Sequence, residues 1–356
     1  MATSLFEEIF SADRIERSYN QATRGKHKFV PEALIFSLDE TVNLNTLRKS
    51  LFDGTYEFSG YYRFIVREPK ERIIHAPFLA DKIVQLCLNE RLSELYLPKF
   101  IPETYGCLKY RGTHRAVDKV QRNLQAAYER WGAGAYILKV DVRKFFYSID
   151  RSILKRIYRK EIKEQDVLVV LDEIVDSANA IGEVGLPLGN TMSQLLANVY
   201  MDRLDQTCKR YWGYKYYVRY VDDVIIVLPN KEVAQQAKEK CTMFLKKSLN
   251  LDINFKKTQI FPLDQGVNCF GYKVWRTHRL LRNDSKRKIK RKIKAFPKLI
   301  EEGEMTLSKA DEMLASWTGH SKHANSHKFI ESLSGRWPYI YVDRKGVLRI
   351  DPEKIK

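Results

Sequence analysis

Cysteine is sparse and scattered in this chain: Cys87, Cys107, Cys208, Cys241 and Cys269, an odd number with no C-x-x-C pair. That pattern argues against a disulfide framework and against a cysteine zinc site, and reads as mostly buried thiols. Long apolar runs are also missing, so no segment reads as a membrane span. The opening "MATSLFEEIFSADRIERSYN" is acidic where a secretory signal is basic, and it lacks a continuous apolar region. The expectation is a cytoplasmic protein with no membrane partner. Internal repeats and low-complexity linkers are absent too. Acid is in deficit, with 44 Asp+Glu against 62 Lys+Arg and a net charge of +18. Such an excess of base points to a polyanionic partner.

What is present is a sizeable apolar fraction, 44%, and many rings, 20 Tyr and 17 Phe. The 356 residues suffice for two or three compact units. Basic grooves with aromatic platforms suit nucleic acid, where phosphates set affinity and bases stack on rings. A basic patch, "RGKHKF", lies at residues 24–29.

The stretch "YYVRYVDDVIIVLP" (216–229) sets two carboxylates inside an apolar run. Neighbouring strand residues face opposite sides, so a continuous strand would bury one of them. A hairpin resolves this: "YYVRY" and "VIIVLP" as strands, with Asp222 and Asp223 at the turn. A plain acidic turn has the same pattern. "AYILKVDVRKFFYSID" (135–150) reads as a buried strand running out into a turn, with Asp141 at its end. An ionised carboxylate in apolar surroundings is costly without a partner. Three carboxylates from two neighbouring strands make a hard-oxygen site for Mg²⁺, or equally Mn²⁺. Two such ions can activate a 3′-hydroxyl and stabilise a leaving pyrophosphate.

The other segments fall into an order around these acids. "YEFSGYYRFIVREPKERIIHA" (56–76) reads as a hairpin with a charged tip. "GLPLGN" (185–190) is a punctuated loop before the helical "TMSQLLANVYMDRLDQ". "LDINFKKTQIF" and "NCFGYKVW" read as short strands. "RNDSKRKIKRKIKAFPK" (282–298) reads as a basic helix, with Asp284 or Ser285 as N-cap and Ile289, Ile293 and Phe296 facing a core. His320, His323 and His327 have helical spacing, but no Cys or carboxylate nearby completes a metal set; packing or RNA contact fits them better.

Taken in order, these motifs resemble reverse transcriptases over roughly residues 15 to 330. Tyr220-Val221-Asp222-Asp223 is similar to the Y-x-D-D signature of that family. Asp141 with Phe145 and Phe146 resembles the first palm motif, and "GLPLGNTMSQLLANVY", "LDINFKKTQI" and "CFGYKVW" resemble those that follow. Group II intron and retroviral enzymes carry Pro-Gln-Gly where this chain has Pro187-Leu188-Gly189, followed by Ser193-Gln194. That form, with "EPKERIIHAPFLADKIVQ", "RGTHRAV" and "LASWTGHSKHANSH", resembles the reverse transcriptases of diversity-generating retroelements.

The resemblance implies an α/β right-hand polymerase fold: fingers, a palm with an antiparallel sheet, and a helical thumb. Fingers and palm would span residues 1–275, the basic thumb 276–335 and a C-terminal tail 336–356. It implies copying of a dedicated template RNA with errors biased to template adenines, two Mg²⁺ ions bound by Asp141, Asp222 and Asp223, and dNTPs as substrates. Further partners would be the RNA/DNA duplex and a basic helical-bundle accessory oligomer. A bacterial antiviral-defence or retron-like enzyme using a noncoding RNA is the alternative, and an RNA-binding scaffold without catalysis is a third reading.

The same resemblance assigns roles. Phe146 would stack under the incoming sugar and reject a 2′-hydroxyl, with Phe145 facing the core in an extended segment. Lys70 and Arg72 would hold the triphosphate, though a solvated charged turn also explains Lys70. Leu188, Gly189, Gln194 and Tyr220 would lie near the nascent base pair, with Gly189 letting backbone approach the nucleotide. Lys257 would protonate the leaving pyrophosphate, with Lys256 as competitor. Phe270, Gly271 and Tyr272 would support the primer end. Lys286, Arg287, Lys290, Arg291 and Lys294 would line the duplex backbone.

Overall fold

The computed structural model describes residues 3–67, 71–178, 182 and 184–355. An antiparallel hairpin comes first, β1 (Tyr61–Val66) and β2 (Arg72–Pro77), as the alternation either side of "EPKER" predicts. The central sheet follows: β3 (Thr104–Tyr105), β4 (Tyr136–Asp141), β5 (Tyr216–Tyr220), β6 (Asp223–Leu228) and β7 (Gln259–Pro262). Its order is β3-β5-β6-β4-β7, antiparallel except where β3 runs beside β5.

This sheet is buried on both faces, which explains its nearly continuous apolar strands. The period of two divides them between two cores. Leu138 and Val140 of β4 and Val224, Ile226 and Leu228 of β6 join one core. It is built with helices Leu79–Tyr96, Thr191–Gln206 and Lys231–Leu249. Ile137, Ile225 and Val227 point the other way. They meet helix Thr113–Trp131 and a small antiparallel sheet of β8 (Val267–Cys269), β9 (Tyr272–Val274) and β10 (Arg279–Leu281).

A third core holds the basic helix Asn283–Glu301, helices Leu307–Ser321 and His327–Ser334, and a last hairpin, β11 (Ile340–Val342) with β12 (Leu348–Ile350). Ile289, Ile293 and Phe296 are buried there, as the helical spacing predicts. Residues 336–355 are not an appendage. Ile340, Leu348 and Ile350 pack in this core, the Tyr339 hydroxyl donates to the Ile293 carbonyl at 2.9 Å, and Arg349 pairs with Asp311 at 2.5 Å.

Two local expectations are corrected. The basic helix begins at Asn283 with Arg282 at the N-cap, two residues before Asp284 and three before Ser285, so both lie in its first turn. An acid there still suits the helix dipole. Phe145 and Phe146 lie in a helical turn, Phe145–Ser148, entered through Lys144 in left-handed backbone. The two rings diverge because of that turn and not because of strand alternation. Phe145 is buried and Phe146 is half-buried, as expected.

Candidate active site

The acidic hairpin forms, but Asp223, expected at the turn, is the first paired residue of β6. β5 ends at Tyr220, β6 starts at Asp223, and Val221 and Asp222 turn the chain between them. Val221 sits at φ +56°, left-handed backbone that a β-branched residue rarely adopts. The antiparallel register places Asp141 of β4 directly opposite Asp223 of β6. Directly opposed side chains share one face of a sheet, and like charges there repel. Asp222 adds a third carboxylate. Burial first, then the neighbouring Asp223 and Asp141 charges, pushes its carboxyl up to about 6.

Two lysines answer part of this charge. Lys257 donates to both oxygens of Asp141, at 3.1 and 2.8 Å. That bond, with the three carboxylates around it, raises the Lys257 pKa, so the side chain stays an ammonium. Lys139 Nζ lies 3.4 Å from Asp223 Oδ1. Even so, Asp223 Oδ1 is buried without a hydrogen-bond partner. An unsatisfied carboxylate oxygen beside two more carboxylates suits a hard divalent cation. Among the described residues, no three carboxylate, histidine or cysteine side chains stand ready to hold an ion together. Lys257 occupies Asp141 instead.

Residues 185–190 bridge the hairpin of residues 61–77 and the Phe146 turn. Gly185 and Leu186 donate to the carbonyls of Ile149 and Phe146, at 2.8 and 2.7 Å, and the His75 amide donates to the Leu188 carbonyl at 2.7 Å. Gly189 has φ +101°, and a Cβ there would come within 2.4 Å of Ile74 Cγ2. Within the protein, the close approach that requires glycine is to β2. Leu188 is half-buried, and Gln194 is exposed on the first turn of the next helix. Arg72 opens β2 and is exposed; Lys70 lies outside the described residues.

Tyr220 packs on Phe270, ring centroids 4.9 Å apart, and its hydroxyl pairs with Thr113 Oγ1 at 3.1 Å. Phe270 and Gly271 take positive φ in the tight turn between β8 and β9. A Cβ on Gly271 would meet the His320 ring at 3.2 Å, so the turn lies against helix 307–321. Tyr272, expected at the primer end, is fully buried. Its ring packs in the second core and its hydroxyl bonds His320 Nδ1 at 2.9 Å, so it ties that core to helix 307–321 and presents no exposed surface to a primer. His323 stacks on His114 at 3.5 Å, whereas His327 is exposed beside Glu331.

On the basic helix Arg287, Arg291 and Lys294 are exposed, while Lys286 and Lys290 lie over the Phe329 ring at 5.4 and 5.2 Å. A cleft of about 680 Å³ runs beside this helix, with Gly271, Arg282, Lys288, Lys309 and Trp317 among its walls. Its cations suit a phosphate backbone. Sequence reading missed two groups. His114 pairs with residues some two hundred positions away, which no local pattern signals. Arg219 and Asp205 form a fully buried ion pair beneath the acidic turn. The available signal was a lone Arg inside the apolar strand "YYVRY".

Comparison with known proteins bears on family and fold. The model of a family described as reverse transcriptase (RNA-dependent DNA polymerase) matches residues 67–274. Protein YkfC of Escherichia coli is 25% identical over 285 residues, covering 69% of this chain and 73% of that protein. The group II intron-encoded protein LtrA of Lactococcus lactis is 22% identical over 314 residues, covering 67% of this chain; the match spans only 51% of LtrA's length. A solved structure of apo telomerase from Candida tropicalis superposes with a TM-score of 0.50 at 12% identity, covering 70% of this chain and 54% of that one. That likeness bears on fold alone.

Proposed function

The chain belongs to the reverse transcriptase family, and we propose that it makes DNA by copying a dedicated template RNA, with errors concentrated at template adenines. The observation that carries the polymerase reading is the register of Asp141 against Asp223, with Asp222 in the adjoining turn. Those carboxylates would hold two Mg²⁺ ions, or Mn²⁺, which favours the same oxygen ligands. Bound there, such ions supply a lowered pKa at the primer 3′-hydroxyl and charge to offset the leaving pyrophosphate. Lys257 holds Asp141 through both of its oxygens and would have to release it for that carboxylate to serve as an ion ligand. Freed beside the site and still protonated, Lys257 is placed to give its proton to pyrophosphate. Arg72, exposed at the start of β2, would supply a cation for the triphosphate. Arg287, Arg291 and Lys294 hold the RNA/DNA duplex by its phosphates.

The diversity-generating subclass rests on Leu188 and the motifs around it. A glutamine side chain at this position could hydrogen-bond near the nascent pair, whereas leucine cannot. Looser checking of base geometry follows, and a basic helical-bundle accessory oligomer would be the partner. Primer extension on a generic RNA template, with dNTPs, Mg²⁺ and sequenced products, tests both levels. DNA synthesis that needs Asp222 supports the polymerase. Leu188→Gln is expected to lower misincorporation opposite adenine several-fold, and an unchanged error spectrum would remove the argument for the subclass.

Asp222 also predicts a pH dependence. It must be a carboxylate to bind an ion, and its carboxyl is held up to about 6. At limiting Mg²⁺, synthesis should fall about tenfold per pH unit below that value, because proton and ion compete for the same oxygens. More Mg²⁺ should move this limb to lower pH. Stability runs the other way. The folded state keeps a proton that the unfolded chain releases. This group's contribution is therefore complete below its ordinary value of 3.8 and lost as pH rises through about 6. Rate profiles at two Mg²⁺ concentrations check this; a limb that stays fixed contradicts it.

A further inference from the structure

We infer that Arg219 is a positioning residue that clamps the Val221–Asp222 turn, so that the two aspartates are presented in one fixed geometry. This rests on the reading of Asp222 and Asp223 as ion-binding carboxylates. The Arg219 and Asp205 side chains are both fully buried. Arg219 Nε donates to Asp205 Oδ1 and Oδ2 at 2.7 and 2.9 Å, and Nη2 donates to Oδ2 at 2.6 Å. The remaining nitrogen, Nη1, reaches the Asn198 side-chain oxygen at 2.9 Å and the Val221 carbonyl at 2.8 Å.

Asp205 is itself fixed, accepting from the hydroxyls of Tyr217 at 2.6 Å and Thr104 at 2.7 Å. The Val221 amide donates to the Tyr105 carbonyl at 3.2 Å. Both backbone polar groups of Val221 are thus held from the palm interior. Its side chain closes against Gly106, where an added Cβ would lie 2.8 Å from Val221 Cγ2. Asn198 binds that glycine's carbonyl at 3.1 Å, completing a ring of contacts around the turn.

Val221 needs this ring because its positive φ is unfavourable for a β-branched side chain and persists only where surroundings impose it. A buried ion pair is by itself weak evidence for stability. Here its geometry explains its presence: one planar fork engages a carboxylate and a turn carbonyl together. A lysine ammonium, a point donor on a flexible stem, cannot reproduce both contacts.

The test uses Arg219→Lys and, to avoid an unpaired buried charge, the charge-neutral pair Arg219→Met with Asp205→Asn. Primer extension gives kcat, the dNTP KM and the half-activating Mg²⁺ concentration; thermal melting reports folding. Both variants should lose about tenfold or more in kcat and need several-fold more Mg²⁺, with primer–template Kd changed by less than about twofold. A merely structural role would lower the melting temperature without moving the Mg²⁺ midpoint. A folded variant with the parental kcat and Mg²⁺ midpoint, or with a lower kcat at an unmoved midpoint, overturns the inference. Asp222→Asn, run alongside, separates the two failures. Synthesis by that variant overturns the site reading itself, whereas its inactivity beside a parental Arg219→Lys overturns only the clamp.

Discussion

Replacing Asp223 with Asn is expected to abolish DNA synthesis while leaving the fold intact. The amide keeps the shape of the side chain and removes its charge. Asp223 faces Asp141 across the sheet, and its Oδ1 is buried without a hydrogen-bond partner. A carboxylate in that position costs stability, since directly opposed like charges disfavour a strand pair by up to about 1 kcal/mol. Removing the charge relieves that repulsion. The loss is the contact of Lys139, which also donates to the Asn268 carbonyl at 3.1 Å and so is not stranded. The melting temperature near neutral pH should therefore hold or rise.

Activity should fall by at least ~10³-fold, about 4 kcal/mol of transition-state stabilisation, because a neutral amide oxygen is a much weaker ligand than a carboxylate and supplies no charge to a divalent cation. Asp222→Asn should behave alike and should also lose the acidic limb near pH 6. Primer extension beside thermal melting decides the matter. A variant that extends primers within about tenfold of the parent would show that this carboxylate does not serve the chemistry. A variant that loses activity only because it unfolds would melt well below the parent.

Opposition between stability and function is also what made the site readable. Carboxylates inside "VDV" and "YVDDV" conflict with their apolar neighbours, and local conflicts of that kind mark functional positions. The strands themselves were legible because each is apolar on both faces and bounded by turn residues. Contacts that join distant segments were not. Gly189 reads as a loop glycine, and only the assembled fold brings Ile74 against it. Tyr272 sits in a motif that suggests an exposed role, yet three-dimensional packing buries it against His320. Arg219 stands out as a lone charge in an apolar strand, but its partner could not be read, because Asp205 lies on a helix fourteen residues earlier. The last hairpin was overlooked because its three-residue strands carry little alternation and, unlike β8 and β9, lie in no recognisable motif.

Phe146 carries the second large expectation: Phe146→Ala should admit ribonucleotides. Its ring is half-buried, set at 62° to Phe145 with centroids 5.4 Å apart. Its carbonyl accepts from the Leu186 amide at 2.7 Å, so the turn that carries it is tied to the 185–190 loop. The buried Phe145 ring, packed edge-to-face against it, gives the Phe146 ring a firm backing. A rigid apolar wall rejects an added hydroxyl by steric and desolvation cost, and such discrimination reaches about 10²-fold. The 2′-hydroxyl is the group that separates the two nucleotide classes. Truncating the wall to a methyl removes both costs, so the ratio of kcat/KM for dNTP over rNTP should fall by about 10²-fold. Most of that change should come from a higher rNTP efficiency and not from a lower dNTP rate, because the carboxylates and their register are untouched. Phe146→Tyr, which retains the wall, should keep the parental ratio. If Phe146→Ala selects deoxynucleotides as strictly as the parent, the ring is a core aromatic and sugar selection lies elsewhere in the site.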